Sequence, residues 1–96
     1  MKGGWVYIMA NRPFGTLYIG VTNDIARRAW EHRQCVGPGY TAQYKIVRLV
    51  YYEPFDNIVT AIRRETRLKH WSRAWKLDLI ERQNPRWDDL FDQIVL

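Results

Sequence analysis

Hydrophobic positions gather near the start of the chain in two short strand-like runs, WVYIMA at residues 5–10 and TLYIGV at 16–21. These predict two strands, and the intervening NRPFG supplies Asn, Pro and Gly for a turn, so the two form an antiparallel hairpin. Alternation places Val6 and Ile8 opposite Tyr7, and Leu17 and Ile19 opposite Tyr18, so both tyrosines fall on one face of the hairpin. The period then lengthens. Residues 24–34 read as a helix with Thr22 and Asn23 as candidate caps and Asp24 near the positive end of the helix dipole, and VGPGY ends it. Residues 44–55, YKIVRLVYYEPF, are β-branched and aromatic and predict a third strand stopped by Pro54. A second helix runs through about His70 from a cap at Asp56 or Asn57, and a third begins at Ser72 and stops at Asn84 before Pro85. RWDDLFDQI predicts a short closing helix. This order points to an α+β domain in which a three-stranded antiparallel sheet is flanked by helices, with too few strands for a doubly wound fold.

Composition narrows the picture. The 96 residues, 47% hydrophobic and 15% aromatic, suit one globular domain over 1–96. One cysteine, Cys35, excludes an internal disulfide and any cysteine-only metal site, and with two histidines, His32 and His70, a structural zinc site is not expected. The N-terminal segment resembles neither a signal peptide nor a membrane span, which predicts a soluble cytoplasmic protein with no membrane partner. The net charge of +5 is uneven: residues 1–84 are basic, while Arg86 is outnumbered by Asp88, Asp89 and Asp92 in the tail. Most of the positive charge is arginine, whose planar fork suits phosphate, so nucleic acid is a plausible partner.

Three features invite chemistry, each with a plainer reading beside it. Arg28 and His32 lie four apart on one helical face, with Ile25, Ala29 and Trp30 supplying a packing face; the pair is either a solvated stripe or a site fed by the strand ending at Gly20, where a backbone or ligand can approach closely. Glu65 falls on the apolar stripe of Ile58, Ala61, Ile62 and Leu68. A carboxylate aimed at the core must be paired, for instance with Lys69 four residues on, or must serve a metal such as Mg²⁺ together with water and phosphate oxygens. Tyr7 and Tyr18 are either packing aromatics or, with a cation such as Arg28 beside them, groups able to handle a proton.

The ordered words VYI at 6–8, YIG at 18–20, Arg28, EH at 31–32, RRE at 63–65 and NPRWDDL at 84–90 resemble the GIY-YIG nuclease superfamily over nearly the whole chain. The ending LKHWSRAWKLDLIERQNPRWDDL is similar to its small single-domain bacterial members. The resemblance implies that Tyr7 and Tyr18 are the motif tyrosines, Arg28 the phosphate-binding arginine, His32 the helix histidine, Glu65 the metal-binding glutamate, and Asn84 a polar residue that helps close the site. Trp5 and Val6 replace the motif's Gly-Ile but keep the tyrosine in place. Val21 stands where some relatives carry a substrate-contacting lysine, a contact that is either absent here or supplied by Arg27 or Arg12. The implied activity is a Mg²⁺- or Mn²⁺-dependent endonuclease acting on nucleic acid, DNA ahead of RNA, in repair, recombination or structure-specific cleavage. Arg12, Arg27, Arg33, Arg64 and Lys69 would hold the substrate, and sequence specificity is either low, structure-directed or borrowed from a protein partner. Two rivals stay open. One is a non-catalytic basic binding module using Arg27, Arg28, Arg33, Arg63, Arg64 and Arg67, with the tyrosines and Trp30 stacking on bases. The other is an adaptor that docks through exposed Trp71, Trp75 or Trp87.

Overall fold

The computed structural model describes residues 3–34 and 39–94. Strands β1 (Gly4–Ala10) and β2 (Leu17–Thr22) form the expected hairpin, and β3 (Arg48–Phe55) pairs antiparallel along the other side of β1, giving the order β2-β1-β3. The first strand in sequence is thus the central one. The hairpin turn is closed by Thr16 N–H donating to Asn11 Oδ1 at 2.9 Å and Gly15 N–H donating to the Arg12 carbonyl at 3.0 Å.

Helix α1 (Ile25–Arg33) follows β2 after two residues. Helices α2 (Gly39–Gln43), α3 (Ile58–His70), α4 (Arg73–Gln83) and α5 (Phe91–Ile94) complete the order. Because alternate strand residues face opposite ways, the sheet buries both sides. Val6, Ile8, Ala10, Ile19 and Val50 pack with Ala61 and Leu68 of α3, Ile80 of α4 and Trp87. Tyr7, Met9 and Leu49 face Ile25 and Ala29 of α1, with Ile46 and Leu90. Both tyrosines therefore share the α1 face, as the alternation predicts.

Asn57 caps α3 and Ser72 caps α4, and α4 ends at Asn84. Several local expectations give way. The cap of α1 is Asp24, whose side chain accepts from Arg27 N–H, while Thr22 Oγ1 accepts from Asp24 N–H in the preceding turn. Strand β3 begins at Arg48 because Lys45 takes a positive φ of 56°. Pro54 does not stop it: β3 is an edge strand, where a missing donor costs no ladder bond. The closing helix shrinks to α5 because Trp87 also has a positive φ, 57°, which breaks any helix through 86–90. Ile62 and Trp30 are not packing residues, since each is about half exposed, and Trp87 is buried, which removes it from any docking surface. Most of the VGPGY segment lies outside the described residues.

The outer edge of β3 is covered by side chains from the C-terminal part of the chain. Gln83 accepts from Tyr52 N–H at 3.1 Å and donates to the Tyr52 carbonyl at 2.8 Å, mimicking a strand. Asn84, 4% exposed, donates to the Val50 carbonyl at 3.1 Å and the Asp88 carbonyl at 2.8 Å and accepts from Asp88 N–H at 3.0 Å. Asp89 Oδ1 accepts from Leu49 N–H at 3.3 Å, and Leu90 N–H donates to the Leu49 carbonyl at 2.8 Å. The cover satisfies polar groups that an open edge would offer to another chain. Asn84→Ala strips three bonds from a buried position and is expected to cost about 2–4 kcal/mol in urea unfolding, against about 0.5 kcal/mol or less for the exposed Arg86→Ala.

Candidate active site

Pairing Tyr7 with Gly20 across the hairpin lays the tyrosine ring over a position that has no side chain. A Cβ at Gly20 would overlap the Tyr7 hydroxyl and ring, so the close approach that the glycine permits is taken by Tyr7 itself. Tyr18 lies one pleat away, 6.3 Å from Tyr7 between ring centroids. Two residues after β2, α1 starts, and its inward face brings His32 against both rings, at 5.7 Å from Tyr7 and 5.5 Å from Tyr18. His32 is 1% exposed, so the solvated-stripe reading fails for it. Its Nε2 stands 3.3 Å from the Tyr7 hydroxyl, and its Nδ1 has no partner among the described residues.

Burial dominates the electrostatics here. It pushes Tyr7 up to about 12, with Tyr18 adding to the rise, while the charge and hydrogen bonding of the Arg28 guanidinium pull the other way. Burial also brings His32 down to about 4, helped by the positive charge of Arg28. For Arg28, burial works against the charge, but the Tyr7 oxygen, Glu31 and Tyr18 outweigh it and hold the guanidinium above its ordinary range. At neutral pH the cluster is thus a phenol, a neutral imidazole and a guanidinium. Arg28 Nε donates to Glu31 Oε1 at 3.1 Å, and Glu31 Oε2 pairs with Arg27 Nε at 3.3 Å. Glu31 therefore holds both arginines, a role its i−3 and i−4 spacing would have revealed but which sequence reasoning missed. Thr22, Asn23, Asp24, Arg27, Arg28 and Glu31 line a cavity of about 400 Å³, so Arg28 joins the buried tyrosine to open solvent.

Glu65 sits on α3, in the helix layer on the opposite side of the sheet, yet near enough for its charge to act on Tyr7. Its side chain is 13% exposed, and Oε2 pairs with Lys69 Nζ at 2.7 Å, the partner expected from the spacing. No group of three or more His, Cys, Asp and Glu converges among the described residues. A lone carboxylate suits a hard cation such as Mg²⁺, which keeps water and takes phosphate oxygens rather than a complete protein cage, so the donor set fits a divalent ion shared with substrate.

The remaining candidates are dispersed. Asn84 is fixed at the β3 edge, where both ends of its amide are consumed by backbone. Arg33 is bound to Asp89 at 2.6 Å and lies over the Phe91 ring, and Arg64 is bound to Glu53 at 3.0 Å with its guanidinium over Trp71. Arg27 and Lys69 are likewise paired, so of the five nominated substrate contacts Arg12 alone is exposed without a carboxylate beside it. No helix among the described residues is long and apolar enough to cross a membrane.

Comparison with known proteins places the chain in a family. The chain is 40% identical over 80 residues to the UPF0213 protein of Staphylococcus saprophyticus, covering 83% of this chain and 96% of the relative. It is 40% identical over 86 residues to that of Syntrophus aciditrophicus, covering 88% and 97%, and 45% identical over 62 residues to that of Halobacterium salinarum, covering 65% and 80%. No solved structure matches it. Residues 3–78, which span Tyr7, Tyr18, Arg28, His32 and Glu65, match the GIY-YIG catalytic domain. The chain belongs to the GIY-YIG nuclease superfamily and, within it, to the small UPF0213 proteins.

Proposed function

We propose that this protein is a divalent-metal-dependent endonuclease that hydrolyses phosphodiester bonds in nucleic acid, with Tyr7, Arg28, His32 and Glu65 as its working groups. The observation that carries the reading is the juxtaposition of the Tyr7 hydroxyl, His32 Nε2 and the Arg28 guanidinium beside a solvent-open cavity. Arg28 clamps the scissile phosphate, and its forked donors match two phosphate oxygens. Glu65 would hold the divalent ion, which supplies charge stabilisation at the leaving oxygen. Tyr7 first gives its proton to solvent through the cavity that Arg28 lines, and the resulting phenolate is the general base that takes a proton from the attacking water, with Tyr18 packed beside it.

The role of His32 follows from proton affinities. Passing a proton from a phenol near 12 to an imidazole near 4 costs on the order of 10 kcal/mol, which is too much for His32 to serve as the proton sink. As the Nε2–H tautomer it instead donates to the Tyr7 oxygen, and its unpartnered Nδ1 is then a lone pair rather than a stranded N–H. His32 therefore orients Tyr7 and stabilises the phenolate, alongside Arg28.

Glu65→Gln and Arg28→Ala are each expected to slow cleavage by about 10²–10³-fold. The assay uses labelled branched, flapped, single-stranded and duplex DNA, and RNA, in Mg²⁺ or Mn²⁺; wild-type rates in both variants would sink the proposal, and the cleaved substrate identifies the class. A second expectation concerns His32 itself. The unfolded chain binds a proton on it below about pH 6.5 and the folded chain not until about 4, so stability falls as pH drops through that window, by on the order of 3 kcal/mol. Urea titrations of wild type and His32→Gln at pH 7 and pH 4.5 measure this, and an equal pH dependence in the two proteins would refute it.

A further inference from the structure

A second aromatic cluster lies outside the site just described. Trp71 closes α3 and Trp75 occupies the first turn of α4, with ring centroids 5.5 Å apart and planes at 87°. Trp75 is 63% exposed, more than any other large hydrophobic residue in the described structure. With Asp78, Leu79 and Arg82 the two indoles line a cavity of about 220 Å³. Core packing does not account for that exposure.

The surroundings identify the occupant. The Arg64 guanidinium lies over Trp71 at 5.1 Å, and Arg82 reaches the cavity from the far side, paired at its own exposed surface with Asp78 at 2.9 Å. Around α3, at 100° per residue, the exposed side passes from Glu65 and Lys69 through Ile62 and Thr66, then Val59, His70 and Arg63, then Arg67 and Thr60, and ends at Trp71. Arg63 and Arg67 are exposed with no carboxylate beside them among the described residues. A polyanion leaving the Glu65 side of the helix thus meets two free guanidiniums and then an open indole. Base stacking on aromatics combined with a basic track is the general chemistry of single-strand binding.

We propose that Trp75, backed by Trp71, is a stacking platform for an unpaired nucleobase of the substrate, so that the preferred substrate carries a single-stranded segment next to the cleaved bond. The inference rests on the nucleic-acid reading of the first site and assigns it a substrate class. Arg63 and Arg67 hold the intervening phosphates, while Lys69 starts near Glu65 and leads onto the same track.

The test is equilibrium binding of a fluorescein-labelled oligothymidylate of fifteen nucleotides and of a blunt duplex, by anisotropy in EDTA so that no cleavage intervenes. Trp75→Ala is expected to weaken binding of the single strand about tenfold and of the duplex less than twofold, while Trp75→Phe retains most of the affinity. Because Trp75 is exposed, the alanine variant is expected to fold, and circular dichroism checks it. Equal loss on both ligands, or no loss on either, would overturn the platform. Loss of self-association in sedimentation with unchanged DNA binding would overturn it too, making the patch a protein interface. Wild-type cleavage that requires Glu65 would leave the nuclease reading standing in either event.

Discussion

Tyr7 stands in the middle strand of a three-stranded sheet, and the space its ring needs exists because the residue across from it, Gly20, has no side chain. Strand register has no half measures: a slip of one residue between β1 and β2 would set Ile19 or Val21 in that place and turn Tyr7 to the other face. The same register fixes where α1 begins, since the helix follows β2 after two residues, and so it fixes the distance from the Tyr7 hydroxyl to His32 and Arg28. Tyr7, His32 and Arg28 are a consequence of one strand pairing.

The second constraint is charge. The chain is basic, yet most of the cations nearest the site are engaged. Glu31 holds Arg27 and Arg28, Asp89 holds Arg33, Glu53 holds Arg64, and Glu65 holds Lys69. These are largely surface pairs, worth little to stability individually, but each restrains a long side chain in one direction. Arg28 is held beside the Tyr7 hydroxyl. Of the exposed arginines with no carboxylate beside them among the described residues, Arg63 and Arg67 lie along α3 and Arg12 lies in the turn between β1 and β2.

Much of this was legible in the sequence because it is local. Period-two alternation put both tyrosines on one face, and Asn57 and Ser72 announced their helices by capping chemistry. The i,i+4 spacing of Glu65 and Lys69 gave their pair. What escaped depends on chain segments meeting at long range or on backbone geometry without a residue-type signal. His32 looked like half of an exposed stripe because nothing in α1 reveals that the sheet face above it is made of tyrosine rings. Asn84 resembled a site residue by its neighbourhood in the motif, while its actual partners, Val50 and Asp88, come from β3 and the following turn. Trp87 and Lys45 adopt positive φ values that their side chains do not favour, so no propensity could have marked the breaks they impose.

Asp89 draws α1, β3 and α5 to one carboxylate: Arg33 at the last turn of α1, the Leu49 N–H of β3 and the Phe91 N–H that opens α5. That carboxylate lies beyond residue 78, where the match to the catalytic domain ends. A chain cut at that boundary would keep Tyr7, Arg28, His32 and Glu65 and lose the clamp on the helix that carries two of them. Sequence drift in the tail therefore has a route to the stiffness of the Tyr7, His32 and Arg28 cluster that leaves its motif untouched.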